Sequence, residues 1–319
     1  MMSGASCLVL GAGGFIGGHL CRALIGYGAR VNGFGRSKSY PEDLDGIRWQ
    51  TGDFADRAAL ARVVDGADYV FHLLGSTTPA SSNRDPIADL IAGPLSSLHL
   101  FEICAAARVG KLVFVSSGGS IYGATTSTLI PESAPTNPIS AYGIGKLTIE
   151  KYLALYEHLH KSNYAVLRVA NPFGPRQAPD RRQGLVAAFI QAALNRCPAE
   201  VWGDGTVVRD YLFVTDVVDA IIKAALYNGP HRIFNVGSSV GRSVLSVLDD
   251  IGTLIGKSQS MPPVFKAARP ADVPVNVLDI SLISQELGWS PKVEWFAGLR
   301  MTAAWLNGLG VENPSEHNT

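Results

Sequence analysis

Charge is scarce in this chain. Of its 319 residues only 17% are Asp, Glu, Lys or Arg, and 27 basic residues meet 27 acidic ones, for a formal net charge of zero. A soluble domain ordinarily carries about a quarter charged residues, so an unusually large part of this chain is expected inside. Without a positive excess there is no basic face to displace the counterions of a polyanion, which excludes nucleic acid as a partner class. Cysteine is sparse too. Cys7, Cys21, Cys104 and Cys197 stand far apart, with no Cys-x-x-Cys pair and no His/Cys cluster at metal-ligand spacing. Neither a disulfide scaffold nor a metal site is expected, and free thiols point to the cytoplasm. Long hydrophobic runs are missing as well: the apolar stretch near the N-terminus is broken by the glycines from Gly11 to Gly18, with no basic region ahead of it. Neither a signal peptide nor a membrane partner is expected.

What the chain does have is 47% hydrophobic residues and 34 glycines. A chain of this length buries roughly three quarters of its unfolded surface, enough for one large or two modest domains without staples. The periodicity starts with the apolar run Cys7–Leu10, a glycine turn, and helical spacing over His19–Tyr27. It continues through strand-like Arg30–Phe34, helix-like Arg57–Val64, strand-like Tyr69–Leu73, a helix around Leu95–Ala107 and strand-like Lys111–Ser116. After a proline-bearing loop come a helix over Ala141–His160 and a strand over Ala165–Val169. Such alternation predicts an α/β fold: a Rossmann-type doubly wound parallel sheet over residues 1–170. Beyond Asn171 the pattern turns irregular, and residues 171–319 are expected to form a smaller C-terminal α/β substrate region. The runs Tyr211–Val214 and Ile233–Val236 are candidates to return to the first domain, so the two are expected to interleave.

Gly11, Gly14 and Gly17, with Phe15 and Ile16 between them, lie where the first strand turns into the first helix. There one glycine permits the turn, one admits a pyrophosphate to the backbone, and one packs helix on strand, while the helix N-terminus offers partial positive charge. This predicts a dinucleotide site. An acid at the end of the second strand would bond the adenosine ribose and repel a 2′-phosphate, but the chain reads Phe34-Gly35-Arg36-Ser37-Lys38. Arg36 and Ser37 suit a 2′-phosphate, which favours NADP(H) over NAD(H); the alternative is a solvated basic loop. Asp53 either accepts from the adenine amino group or caps the next helix.

Tyr142 and Lys146 are four residues apart on one helix face. An ammonium near the phenol is expected to lower its pKa toward the working pH, fitting Tyr142 to take a proton from a sugar hydroxyl while Lys146 holds the nicotinamide ribose. Together with the glycine loop, Val113-Phe114-Val115-Ser116-Ser117 and Ile121-Tyr122-Gly123, this pair resembles the extended short-chain dehydrogenase/reductase family, in its nucleotide-sugar epimerase, dehydratase and reductase branch. The likeness runs on through Asn171-Pro172-Phe173-Gly174-Pro175-Arg176, Trp202-Gly203-Asp204-Gly205, Arg209-Asp210-Tyr211, Phe234-Asn235-Val236-Gly237 and Arg269-Pro270-Ala271-Asp272.

The resemblance implies a nucleotide-diphosphate sugar as partner, with Asn171, Arg209 and Arg269 binding it, and a homodimer built on the helices near Leu95–Ala107 and Ala141–His160. It implies an epimerase working through a transient 4-keto sugar. The second reading is an NADPH-dependent reductase of 4-keto sugars, and the third a non-enzymatic dinucleotide sensor. Two positions depart from the family's pattern. Gly118 replaces a Ser or Thr that contacts the reacting sugar oxygen, leaving Ser117 or Ser120 to supply the hydroxyl, and Leu90 stands where an asparagine near the cofactor is expected.

Overall fold

The structure is a computed structural model that describes residues 2–36, 46–75, 79–125, 127–178, 184–256, 261–268 and 273–309. Every residue of strand β1 (Ser6–Leu10) is buried, as expected of a central strand covered on both faces. Around it lie β2 (Arg30–Gly35), β3 (Ile47–Thr51), β4 (Tyr69–His72), β5 (Lys111–Ser117) and β6 (Tyr164–Val169). The second half of the chain adds β7 (Asn171–Phe173), β8 (Glu200–Trp202), β9 (Val208–Phe213) and β10 (Ile233–Val236). Seven strands form one parallel sheet in the order β10-β6-β5-β4-β1-β2-β3. Of the two runs that were candidates to return, Ile233–Val236 joins this sheet beside β6, whereas Tyr211–Val214 belongs to a separate one. The strand order reverses between β1 and β4, the switch point at whose carboxyl side doubly wound sheets bind their ligands.

Helices α1 (Phe15–Gly26), α2 (Arg57–Val64), α3 (Pro79–Ser82), α4 (Pro86–Leu90), α5 (Ser96–Ala106) and α6 (Ala141–His160) belong to the first half. One sheet face buries Leu20, Cys21 and Leu24 of α1. The other buries Leu60 and Val64 of α2, Leu100 and Phe101 of α5, and Ile149 and Leu153 of α6. Capping sets the boundaries: Asp56 accepts from the N–H groups of Ala58 and Ala59 to start α2, and Ser140 accepts from Gly143 to start α6. The helix expected around Leu95–Ala107 is longer than its periodicity indicates. Asp85 caps a start at Pro86, and a π-helical turn over Ile91–Leu95, containing Pro94, joins α4 to α5. The resulting helix, Pro86–Ala106, is long and apolar enough by composition to cross a membrane. In this fold it packs against α2 and α6.

The remaining elements are α7 (Leu185–Leu194), α8 (Val214–Leu226), β11 (Gly241–Ser243), α9 (Val244–Ile255), β12 (Val264–Lys266), β13 (Val275–Asn276), α10 (Ser281–Leu287) and α11 (Trp295–Leu309). Strand β9 pairs with β7 and β13 in parallel and with β11 antiparallel, and β8 pairs with β12. This region has its own core, in which Phe173, Phe189, Ile190, Val214, Val247 and Trp295 are buried. Phe15 and Ile16, at the start of α1, pack against it, so the glycine turn lies between the two cores.

Candidate active site

The glycine turn follows β1 directly. Gly11 has φ +88°, a left-handed conformation open to glycine, and its N–H donates to the Phe34 carbonyl at 2.9 Å. A methyl group on Gly17 would collide with the Gly11 carbonyl, so only hydrogen lets α1 lie this close to the strand end. Gly14 caps α1 without a side chain, and the first turn holds no acid, which leaves its N–H groups to a bound anion. This cradle fits the pyrophosphate of a dinucleotide.

A cavity of about 340 Å³ continues from the ends of β2 and β3 to α6. Phe34, Gly35 and Arg36 line one end together with Asp53 and Phe54, and Tyr142 and Lys146 line the other. Ser37 falls outside the described residues. Asp53 does not cap α2, because Asp56 does so; its Oδ1 accepts from the Ala55 N–H at 2.8 Å in a tight turn at the cavity wall.

Tyr142, Lys146 and Ser117 come together at the junction of β5 and α6. Ser117 lies within hydrogen-bonding reach of the Tyr142 phenol. The Lys146 ammonium donates to the Val115 carbonyl at 3.0 Å, and Nζ stands 4.7 Å from the ring centroid of Phe114 and 5.8 Å from that of Tyr142. The expected lowering of the phenol by lysine is corrected. Burial pushes Tyr142 up to about 12, Ser117 opposes this through its hydrogen bond, and Asp89 adds to it. Desolvation outweighs an ammonium that is turned onto a backbone carbonyl and is itself destabilised. Burial brings Lys146 down to about 8, against the raising effects of Glu150 and Asp89.

Sequence reasoning missed Asp89. It is buried, lines the cavity and packs against Gly145 of α6, so a carboxylate shares the site with the tyrosine and lysine. The cap at Asp85 followed by Pro86 was the available signal, since it starts a helix whose first turn includes Asp89. The expectation attached to Leu90 is corrected: its side chain is exposed, while Ile91, Ala92, Gly93 and Pro94 of the π turn line the cavity. The extra residue per turn rotates the register that a regular α-helix would have presented. Behind Lys146, His72 is fully buried, with Nε2 2.9 Å from Ser97 Oγ and its ring between Phe54 and Phe114.

The residues assigned to the sugar nucleotide are more scattered. Asn171 Nδ2 donates to the Asp210 carbonyl at 2.9 Å, and Arg209 Nη1 donates to the carbonyls of Val208 and Val273. Both side chains therefore brace β7 and β9, and neither lines the cavity. Ser120 does not line it either, and its carbonyl packs against Gly143. Arg269 lies outside the described residues. No group of three or more His, Cys, Asp or Glu able to hold a metal occurs among the described residues.

Comparison with known proteins gives this geometry its setting. Residues 7–237 match the NAD dependent epimerase/dehydratase family. A UDP-glucose 4-epimerase of Mycolicibacterium smegmatis is 33% identical over 307 residues, covering 94% of this chain and 97% of its own. The crystal structure of the UDP-glucose 4-epimerase of Thermotoga maritima with UDP-glucose superimposes with a TM-score of 0.90 at 34% identity, covering 95% of this chain and 99% of that one. The Thermus thermophilus UDP-glucose 4-epimerase in complex with NAD gives 0.87 at 30% identity, covering 95% and 99%. With its glycine cradle, seven-stranded parallel sheet and adjoining tyrosine, lysine and serine, this chain belongs to the NAD-dependent epimerase/dehydratase family, in the nucleotide-sugar epimerase branch.

Proposed function

We propose that this protein interconverts UDP-hexoses at C4 through a transient 4-keto sugar. The observation that carries this reading is the placing of Tyr142 and Lys146 at one end of a cavity whose other end is formed by Arg36 and Asp53, with Ser117 within hydrogen-bonding reach of the phenol. Gly11, Gly14 and Gly17, with Phe15 and Ile16 behind them, hold the pyrophosphate of a nicotinamide dinucleotide, and Asp53 and Arg36 hold its adenosine half. When bound, that cofactor would supply reversible two-electron redox chemistry and, in its oxidised form, a positive charge.

The chain's own residues handle the proton. Tyr142 accepts it from the sugar O4 and later returns it, and the Ser117 hydroxyl joins phenol and sugar in one hydrogen-bonded line. Burial raises the phenol to about 12, so acting as the base requires that the positive charges of Lys146 and of the oxidised cofactor, when bound, favour the phenolate. Lys146 anchors a ribose and places its positive charge near the developing phenolate. Residues 1–170 serve the cofactor and residues 171–319 the nucleotide sugar, through Asn171, Arg209 and Arg269. The diphosphate must stay clamped while the keto sugar turns its other face, which is the use of a separate binding region.

Two further features fit this reading. Ile144, Tyr152, Leu155 and Leu159 follow each other at helical spacing along the exposed side of α6, and Ile87, Ile91 and Leu95 do so along the adjoining helix. We assign this face to a homodimer; Leu155→Asp with Leu159→Asp should then give a monomer in sedimentation. The four free cysteines suit a reducing, cytoplasmic setting.

Gly35 and Arg36 at the cavity wall favour a second reading, an NADPH-dependent reductase of 4-keto sugars. Incubation with UDP-glucose and a trace of cofactor separates the two. UDP-galactose formed without net change in reduced cofactor supports the epimerase, and NADPH loss that requires an added keto sugar supports the reductase. Tyr142→Phe should lower kcat about 10²- to 10⁴-fold with cofactor still bound. Silence in both assays, with cofactor bound, would leave the dinucleotide sensor.

A further inference from the structure

Position 118 carries no side chain because a distant segment occupies its space. Leu278 is fully buried, and its Cδ1 stands 2.5 Å from the point a Cβ on Gly118 would take. On the other side the Arg168 carbonyl is 3.0 Å from that point, and the Gly118 N–H donates to the Val169 carbonyl at 2.8 Å. The glycine is therefore wedged between β6 and the chain that follows β13.

Leu278 is held at its backbone. Its N–H donates to the Asp210 carboxylate at 3.2 Å, and its carbonyl accepts from the Ser239 hydroxyl at 2.7 Å. Asp210 is itself fully buried and accepts from Ser238 N, Ser238 Oγ and Ser239 N as well. Two residues earlier, Asn276 Nδ2 donates to the Gly118 carbonyl at 3.1 Å, and both groups are buried. Asn276 Oδ1 has no partner among the described residues, so this bond alone orients the amide. Strand pairing of Asn276 with Arg209 fixes where that amide begins.

We propose that Asn276 and Leu278 are positioning residues for the Ser117 hydroxyl: Leu278 takes the volume a hydroxyl-bearing side chain at 118 would need, and Asn276 pins the Gly118–Gly119 peptide, one residue beyond Ser117. The hydroxyl beside Tyr142 is thus moved one residue back along β5, and the substrate-side region holds it there. This rests on the reading of Tyr142 and Ser117 as the proton-handling pair.

The test transfers the hydroxyl. Ser117→Ala in the otherwise native enzyme should lower kcat for UDP-glucose interconversion about 10²-fold with KM little changed. Gly118→Ser alone should abolish activity or folding, and adding Leu278→Ala should restore folded enzyme, seen as cofactor binding. In that double variant the hydroxyl sits at 118, so a further Ser117→Ala should cost less than about threefold. An equal Ser117→Ala cost in both backgrounds, or full activity of Gly118→Ser alone, would overturn the proposal.

Should the double variant not fold, Asn276→Ala removes the pin without adding volume. It should lower kcat about tenfold or more at unchanged cofactor affinity, and move the pH profile's Tyr142 limb upward as the Ser117 bond loosens. An unchanged kcat and profile would overturn the proposal. Failure of the parent reading looks different, because Tyr142→Phe would then be as active as the native protein.

Discussion

Arg168 and Glu150 face each other as a buried bidentate pair, with Nη2 2.7 Å from Oε2 and Nε 3.2 Å from both carboxylate oxygens. Their side chains are 4% and 1% exposed, so water screens neither charge. Ser116 Oγ donates to Glu150 at 2.7 Å, and Arg168 also donates to the Tyr122 hydroxyl and the Glu132 carbonyl. The pair ties α6 to β5 and β6 one helical turn beyond Lys146. Removing one partner strands the other charge in the interior, so Glu150→Ala is expected to cost about 3–5 kcal/mol of unfolding free energy in urea melts. A loss below about 1 kcal/mol would show that the charges are solvated after all.

Glu150 also acts on Lys146. Burial brings that ammonium down to about 8, and the carboxylates of Glu150 and Asp89 keep it from falling further. With ¹³C-methylated lysines followed by NMR, two resonances should titrate near pH 8, those of Lys146 and Lys111, and Lys146→Met should remove one of them. Asp89→Asn should move that one lower, because a negative charge that favoured the ammonium is gone. The linkage has a definite sign. The folded pKa lies below the ordinary lysine value of 10.5, so the unfolded chain binds more protons between about 8 and 10.5, and this group's contribution to stability improves as pH rises through that window. A Lys146 resonance that titrates near the ordinary lysine value of 10.5 would contradict the burial seen here.

Much of this was legible in the sequence where local chemistry decides structure. Helices α2 and α6 run from Arg57 to Val64 and from Ala141 to His160, as periodicity indicates, because Asp56 and Ser140 cap them. The glycine turn and the Tyr142–Lys146 spacing are local patterns too, and the latter places both side chains at one cavity. Long-range packing was not legible. Nothing near Gly118 announces Leu278, which arrives from the far end of the chain. The phenol's rise depends on how much solvent the fold removes and on Asp89, which lies in the first turn of α4, ahead of the helix that periodicity indicates. Asn171 and Arg209 lie on the short strands β7 and β9 beside a separate core, and residue patterns there identify residue types without their partners.

His72 sets a limit on acid stability. Burial depresses its pKa to about 3, with Lys146 adding in the same direction, and Nδ1 has no hydrogen-bond partner among the described residues. The unfolded imidazole takes up a proton near its ordinary value of 6.5 while the folded one stays neutral, so stability falls as pH drops from 6.5 toward 3. Lowering the pH to 5 should remove about 2 kcal/mol through this residue, at about 1.4 kcal/mol per unit. His72→Phe, placed between the rings of Phe54 and Phe114, should flatten that part of the curve. Chemical denaturation at pH 7, 6 and 5 reads the slope, and equal slopes in both proteins would remove His72 from the account.

The β2 end makes a cofactor prediction that the NAD complexes of relatives do not settle. Gly35 leaves no carboxylate to bond a ribose 2′-hydroxyl or repel a phosphate there, and Arg36 stands at the cavity wall with Asp53 near by. A guanidinium paired with a 2′-phosphate makes charge-assisted hydrogen bonds of about 1.5–3 kcal/mol. Arg36→Ala should therefore weaken NADPH binding about 10- to 100-fold and change NADH binding by less than about twofold, as read by fluorescence titration. Gly35→Asp should act in the opposite sense, because a carboxylate at the strand end accepts from the hydroxyl of NADH and repels the phosphate of NADPH. If Arg36→Ala weakens both cofactors equally, the arginine serves the adenine ring or the loop. If it changes neither, the side chain belongs to solvent and the preference follows the relatives toward NAD.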